Sequence, residues 1–197
     1  MGMDVYGLNP KHNEVNIEDF KVYMKYSSME FEDKWKALDA DEKLRKQYWK
    51  EQTEFEAVNP GNYFRNNCWW WRPLWHYVSQ VCDDILSEED MDGCHDNSGY
   101  QITEDKAIKI GIKLTALVLD GSTQEWKEGY DDEVASLPKE PCFRCNGNNY
   151  GHNKKKNCES CDKTGERENF HANYPFDIEN VKNFATFCIE SGGFEVC

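Results

Sequence analysis

The sequence predicts an α+β fold, mainly helical with a few short strands, into which a tetracysteine zinc knuckle is inserted. Three observations lead there. Apolar residues recur at helical spacing through several long stretches of the 197-residue chain. An extended run, MDVYGLNP, stands near the N-terminus and is ended by Gly7, Asn9 and Pro10. Two Cys-x2-Cys pairs, Cys142/Cys145 and Cys158/Cys161, interrupt the helical pattern shortly before its last segment.

Each element follows from local chemistry. From Ser28 to about Glu56 the stripe Phe31, Trp35, Leu38 continues into Leu44 and Tyr48, with a break near Asp39, so two helices or one kinked helix are expected. Asn59-Pro60-Gly61-Asn62 reads as a turn. A helix then begins near Arg72, with Pro73 in its first turn and Leu74, Val78, Val81, Cys82 and Ile85 on its apolar side. Residues 87–101, acidic and polar, read as a loop. Thr103 precedes acidic Glu104 and Asp105 and opens a helix with Ala107, Ile110, Gly111, Leu114, Leu117 and Val118 on one face, stopped by Gly121. Ile108, Ile110, Ile112 and Leu114 also alternate as a strand would; the capping pattern and the length favour the helix. A polar link through Pro138 leads to the knuckle, and Asp177 caps a final helix carrying Val181, Phe184, Ala185 and Cys188, closed by Ser191-Gly192-Gly193. The domain reading is therefore a main domain of residues 1–140 and 169–197 with a module at 141–168.

Composition bounds the function. With 39% apolar and 14% aromatic residues, including 7 Trp, the chain has enough large side chains to offset the ordering entropy of one core domain and a small module. Against 23 basic residues stand 37 acidic ones, and the net charge of −14 argues against indiscriminate attraction to duplex phosphates. No apolar run approaches the roughly 18 residues of a transmembrane helix, and MGMDVYG lacks the basic and apolar regions of a signal peptide, so a cytoplasmic location is expected.

The nine cysteines form an odd set that suits no complete disulfide framework. Cys142, Cys145, Cys158 and Cys161 form two pairs separated by 12 residues, a spacing at which two turns can set four thiolates tetrahedrally around one ion, with zinc the default. A redox pair or metal-free thiols are the rival readings. Cys82 and Cys188 fall on apolar helix faces, as small buried hydrophobes do. The stretch CFRCNGN followed by CESCDKTG resembles the cysteine-rich zinc repeats of DnaJ-type co-chaperones over residues 142–165. It has two repeats rather than four, Asn148 in place of a glycine, and no His-Pro-Asp signature anywhere in the chain. The resemblance thus implies a knuckle geometry at the four cysteines and not chaperone activity.

The segment Arg65-Asn66-Asn67-Cys68-Trp69-Trp70-Trp71-Arg72-Pro73-Leu74-Trp75-His76 is the other unusual feature. Indoles can stack a planar ligand while guanidinium and carboxamide groups read its polar edge. Arg65, Asn66, Asn67, Arg72 and His76, with His95 and Asp96 from the Cys94–Gly99 run, are the candidate residues for a nucleotide-like ligand. The competing reading makes the tryptophans core and the polar residues a turn. Ser87–Asp90 and Asp131–Glu133 read as solvated charge runs. His12, His152 and His171 stand alone. The knuckle carries 6 basic against 4 acidic residues, so Arg144, Lys154, Lys155, Lys156, Lys163 and Arg167 could touch nucleic acid through salt-sensitive contacts. No phosphate loop, dinucleotide fingerprint or serine elbow is present.

MGMDVYG, the segment Gly61–Asn67 with WWWRPLW behind it, and SGGFEVC together resemble a group of uncharacterised proteins from bacteriophages and bacteria. The likeness spans most of the chain outside about 11–58, which reads as an insertion; it implies a phage or bacterial origin and carries no activity to particular residues. The leading functional expectation is a zinc-stabilised, non-catalytic accessory protein for a host or phage protein partner, and the rival a nucleotide-like ligand site or enzyme.

Overall fold

Strand β1, Gly2–Gly7, lies between two partners because its side chains alternate: Met3 and Val5 are buried while Asp4 and Tyr6 face away. It pairs antiparallel with β2, Tyr63–Asn67, and with β6, Phe194–Val196, which pairs in turn with β3, Tyr100–Ile102; the sheet order is β2-β1-β6-β3. The computed structural model describes residues 2–11, 17–146 and 158–197. Inward residues of all four strands, among them Val5, Phe64, Ile102 and Phe194, join Trp71, Trp75, Phe184 and Phe187 of the helices in one core. The architecture is α+β and mainly helical, with the cysteine module inserted before the last helix. Only the first strand was legible in the sequence; β2, β3 and β6 are too short for alternation to register.

Between β1 and β2 the chain makes an excursion with its own core. Helices α1 (Lys21–Ser27), α2 (Phe31–Ala40) and α3 (Glu42–Val58) gather Phe20, Tyr23, Tyr26, Leu38, Tyr48 and Phe55 around one another. The break between α2 and α3 falls at Asp41, whose carboxylate accepts from the amides of Lys43 (2.9 Å) and Leu44 (3.2 Å). Of the expected stripe, Leu38 is fully buried and Phe31 is 71% exposed. Both ends of the excursion meet the main core, with the Asn9 amide donating to Ser191 O and the Gly7 amide to Asn62 O. Gly61 is required there, since a Cβ would stand 2.2 Å from the Glu190 carbonyl oxygen.

Glu51 secures α1 from the side. One carboxylate oxygen accepts from the amides of Val22 (2.8 Å) and Tyr23 (2.9 Å), orphan donors at a helix start, and the other from Gln47. Burial pushes this carboxyl up, but Gln47 and the two amides outweigh it and leave it below the usual carboxylate range. A folded value below the unfolded one means the contribution is complete above about pH 4.3 and is lost as pH falls through the folded value. Glu51→Gln should cost about 1.5–3 kcal/mol, the scale of bonds to a charged acceptor, read by urea denaturation at pH 7. The gap between variant and parent should close toward pH 3; a constant gap would refute the charge assignment.

In the main core the sequence reading needs three corrections. Helix α4 spans Cys68–Val81 and begins before Arg72, because Asn67 acts as N-cap for the amides of Trp69 (2.9 Å) and Trp70 (3.2 Å); Pro73 sits inside it. The 87–101 loop contains α5, Glu88–Gly93, opened by a reciprocal Ser87/Asp90 capping box, and then β3. The polar link after Gly121 is a full helix, α7, Ser122–Ser136. Its stripe of Trp126, Tyr130 and Val134 at four-residue spacing was readable, but a majority of polar residues concealed it. Helix α6, Glu104–Leu119, settles the helix-or-strand question, and it approaches α8, Ile178–Glu190, so closely that a Cβ on Gly111 would lie 2.6 Å from Ala185 O. Asp177 caps α8 as expected, accepting from Asn180 N at 2.9 Å.

Candidate metal centre

Strands β4, Glu140–Pro141, and β5, Glu166–Arg167, form a two-residue antiparallel ladder below the two cysteine pairs. Arg167 pairs with Glu140 at 2.9 Å, and Lys139 with Glu168 at 2.9 Å. Above this base each pair turns tightly. The Asn146 amide donates to Cys142 O, and Asn146 has φ 51°; on the other side Cys158 leads a 3-10 turn, Glu159–Cys161, followed by left-handed Asp162 (φ 47°) and Lys163 (φ 65°). Asparagine and aspartate tolerate this region better than most residues, which explains their presence after each second cysteine. The Cys142 amide reaches across to Gly165 O at 2.9 Å and joins the two halves.

The result is four buried thiols with their sulfurs all within 4.8 Å of one another. The Cys142–Cys158 and Cys145–Cys161 sulfurs lie 3.8 Å apart. A disulfide needs about 2.05 Å, so these are not bridges. A tetrahedral ion with sulfur bonds of about 2.3 Å gives edges of about 3.8 Å, and the donor set fits such an ion. Amides also point at sulfur: Gly165 N lies 3.3 Å from Cys161 Sγ. The Cys145 amide holds the Cys142 thiol down at about 7, assisted by that of Arg144, whereas desolvation raises Cys158 above the ordinary thiol range. Elsewhere burial pushes Cys82 and Cys94 up to about 12 and Cys188 well above the ordinary thiol range, so the core thiols are packing groups, as Cys82 and Cys188 were expected to be.

The seven candidate ligand residues fall in three places. Arg65, Asn66 and Asn67 border a hollow of about 600 Å³ with Gly2, Asp4 and Trp70. Asn67 caps α4, and the Asn66 amide donates to Asn180 Oδ1 at 3.3 Å. Arg72 and His76, one turn apart on α4, border a different hollow of about 680 Å³. His95 and Asp96 are exposed and border neither. The tryptophans divide as well: Trp71 and Trp75 are fully buried, while Trp69 and Trp70 are 36% and 37% exposed. Arg144 and Lys163 are exposed on the knuckle; Lys154, Lys155, Lys156, His152, Asn148 and His12 lie outside the described residues.

The larger hollow lies beside the knuckle. Trp126 and Tyr130 of α7 stack at 5.2 Å and 12° on one wall, and Tyr174 and His171, just beyond β5, contribute to another. Both legs of the knuckle therefore adjoin it: the outgoing leg carries His171 and Tyr174, and the incoming one follows Val134 and Leu137. Asn169 ties the legs by donating to Pro138 O at 3.1 Å. Sequence reasoning missed Trp126, Tyr130, His171 and Tyr174 as a group because they come from separate elements. No helix among the described residues is long and apolar enough to cross a membrane. No protein-family model, curated protein or solved structure gives a significant match to the chain.

Proposed function

We propose that the chain is a zinc-stabilised accessory protein of phage or bacterial origin, working in the cytoplasm, that binds a macromolecular partner and catalyses no reaction. The carrying observation is the buried cluster of Cys142, Cys145, Cys158 and Cys161. All-thiolate closed sites are structural, because no position remains for substrate or water, and zinc is the ion that such sites ordinarily take. The likeness of residues 142–165 to DnaJ-type zinc repeats supports zinc; the likeness of the terminal and tryptophan segments to phage and bacterial proteins supports the origin. A host or phage protein fits the acidic body better than duplex nucleic acid does. The test is elemental analysis of the purified chain with turnover assays on a nucleotide panel. One zinc per chain and no turnover are expected; a metal content near zero, or steady turnover, would refute the reading.

A second reading is a small nucleotide-like ligand held by members of the set Arg65, Asn66, Asn67, Arg72, His76, His95 and Asp96. One observation favours it: Arg72 and His76 stand together on the rim of an aromatic hollow whose size suits such a ligand.

A further inference from the structure

The hollow between α4 and α7 offers a definite chemistry once its hydrogen bonds are followed. Indole nitrogen only donates, and Trp126 Nε1 donates to Gln80 Oε1 at 2.9 Å, which fixes the orientation of the Gln80 amide. Gln80 Nε2 must then be the donor in its 3.1 Å contact with His76 Nε2. The neutral His76 ring consequently carries its proton on Nδ1, where it is available to a ligand. One turn earlier, Arg72 gives one hydrogen bond to the Tyr174 hydroxyl at 2.6 Å and, among the described residues, forms no ion pair. Residues at i and i+4 on a helix share a face, so this corner presents hydrogen-bond donors only.

The remaining surfaces are complementary in kind. The hydroxyl of Tyr130 is engaged by Tyr174 O at 2.6 Å, so Trp126 and Tyr130 present ring surface rather than polar tips. Glu133, also on the rim, forms no ion pair among the described residues and is an acceptor. A ligand matching all three features needs an anionic group, a planar ring and hydrogen-bond donors of its own. An aromatic carboxylic acid has the first two; a mononucleotide has all three.

We propose that this hollow binds a nucleoside monophosphate, with Arg72 and His76 on the phosphate, Trp126 and Tyr130 against the base, and Glu133 accepting from the base or ribose. This rests on the second reading given above and not on the metal. Tyr174 is held along one wall by the main domain: its hydroxyl accepts from Arg72, its carbonyl from Tyr130, and its ring packs on Trp69 at 4.9 Å.

The test is calorimetric titration of the full chain, with its metal content measured, using AMP, GMP, adenosine and 1-naphthylacetate, an aromatic carboxylate with no hydrogen-bond donor. AMP or GMP should saturate, with adenosine and 1-naphthylacetate at least about tenfold weaker, as expected when a charge-assisted contact or a hydrogen-bonding partner is absent. Arg72→Gln and Glu133→Gln, both at exposed positions, should each weaken the mononucleotide about tenfold without altering metal content or circular dichroism. Binding that both variants leave untouched would overturn this site while leaving the small-ligand reading intact. Equal affinity for 1-naphthylacetate would overturn the nucleotide assignment, and no binding by any probe would overturn both.

Discussion

Replacing Cys158 with serine, or stripping the metal with a strong chelator, should unfold the segment around 140–168 while leaving the main core standing. Among the described residues the knuckle has little else to hold it: its base ladder is two residues long on each side, and its buried cluster consists of the four cysteines. Phe143, a large apolar side chain of the knuckle, is 67% exposed and packs against the Arg167 guanidinium. Structural zinc in small modules contributes on the order of 10 kcal/mol to folding, far more than two ladder pairs and two surface ion pairs can replace. Metal content should fall from one per chain to near zero. In hydrogen exchange the amides of Cys142, Lys163 and Thr164, which bond within the knuckle, should lose protection, while those of α6 and α8 keep theirs. Retained protection at the knuckle amides in a metal-free protein would show that something other than the ion organises it.

The tetracysteine cluster was legible because its signal is local. Four residues at fixed spacing define it, and no distant partner needs to be known. The same holds for Asp177 as a cap and for the apolar stripes of α6 and α8, which are long enough for periodicity to dominate. The sheet was not legible, because its strands of three to six residues derive their pairing from segments far apart in the chain, such as Gly2 with Asn67. The Arg65–His76 segment was misread in one respect for a physical reason. Proline at an apparent helix start is a strong cue, yet Asn67, the last residue of strand β2, supplies a true cap, and the helix runs through Pro73. That shift places Trp71 and Trp75 inward and Arg72 and His76 outward on one helix, so the segment contributes both to the core and to the rim of the hollow.

Trp75→Ala should destabilise the main core by about 3–5 kcal/mol, the range for deleting a large buried aromatic, out of the roughly 5–15 kcal/mol that holds a domain of this kind. Trp75 is fully buried, stacks on Trp71 at 5.5 Å and 7°, and meets Phe184 and Phe194 edge-on. Its indole also has a polar duty: Nε1 donates to Met91 O at 2.9 Å, as Trp71 Nε1 donates to Cys94 O at 2.8 Å. The short helix α5 is thus suspended from two indoles, with Asp90 bonded to Lys106 and Tyr100 on its other side. Trp75→Phe separates the two contributions, since it keeps most of the volume but leaves the Met91 carbonyl without its donor; about 1–3 kcal/mol is expected. Trp70→Ala, at a residue 37% exposed, is the control and should stay within about 0.5 kcal/mol. Urea denaturation of the three variants decides the matter. A Trp75→Ala cost no larger than that of Trp70→Ala would mean that the stacked pair lines a loosely packed surface, and the assignment of Trp71 and Trp75 to the main core would fall with it.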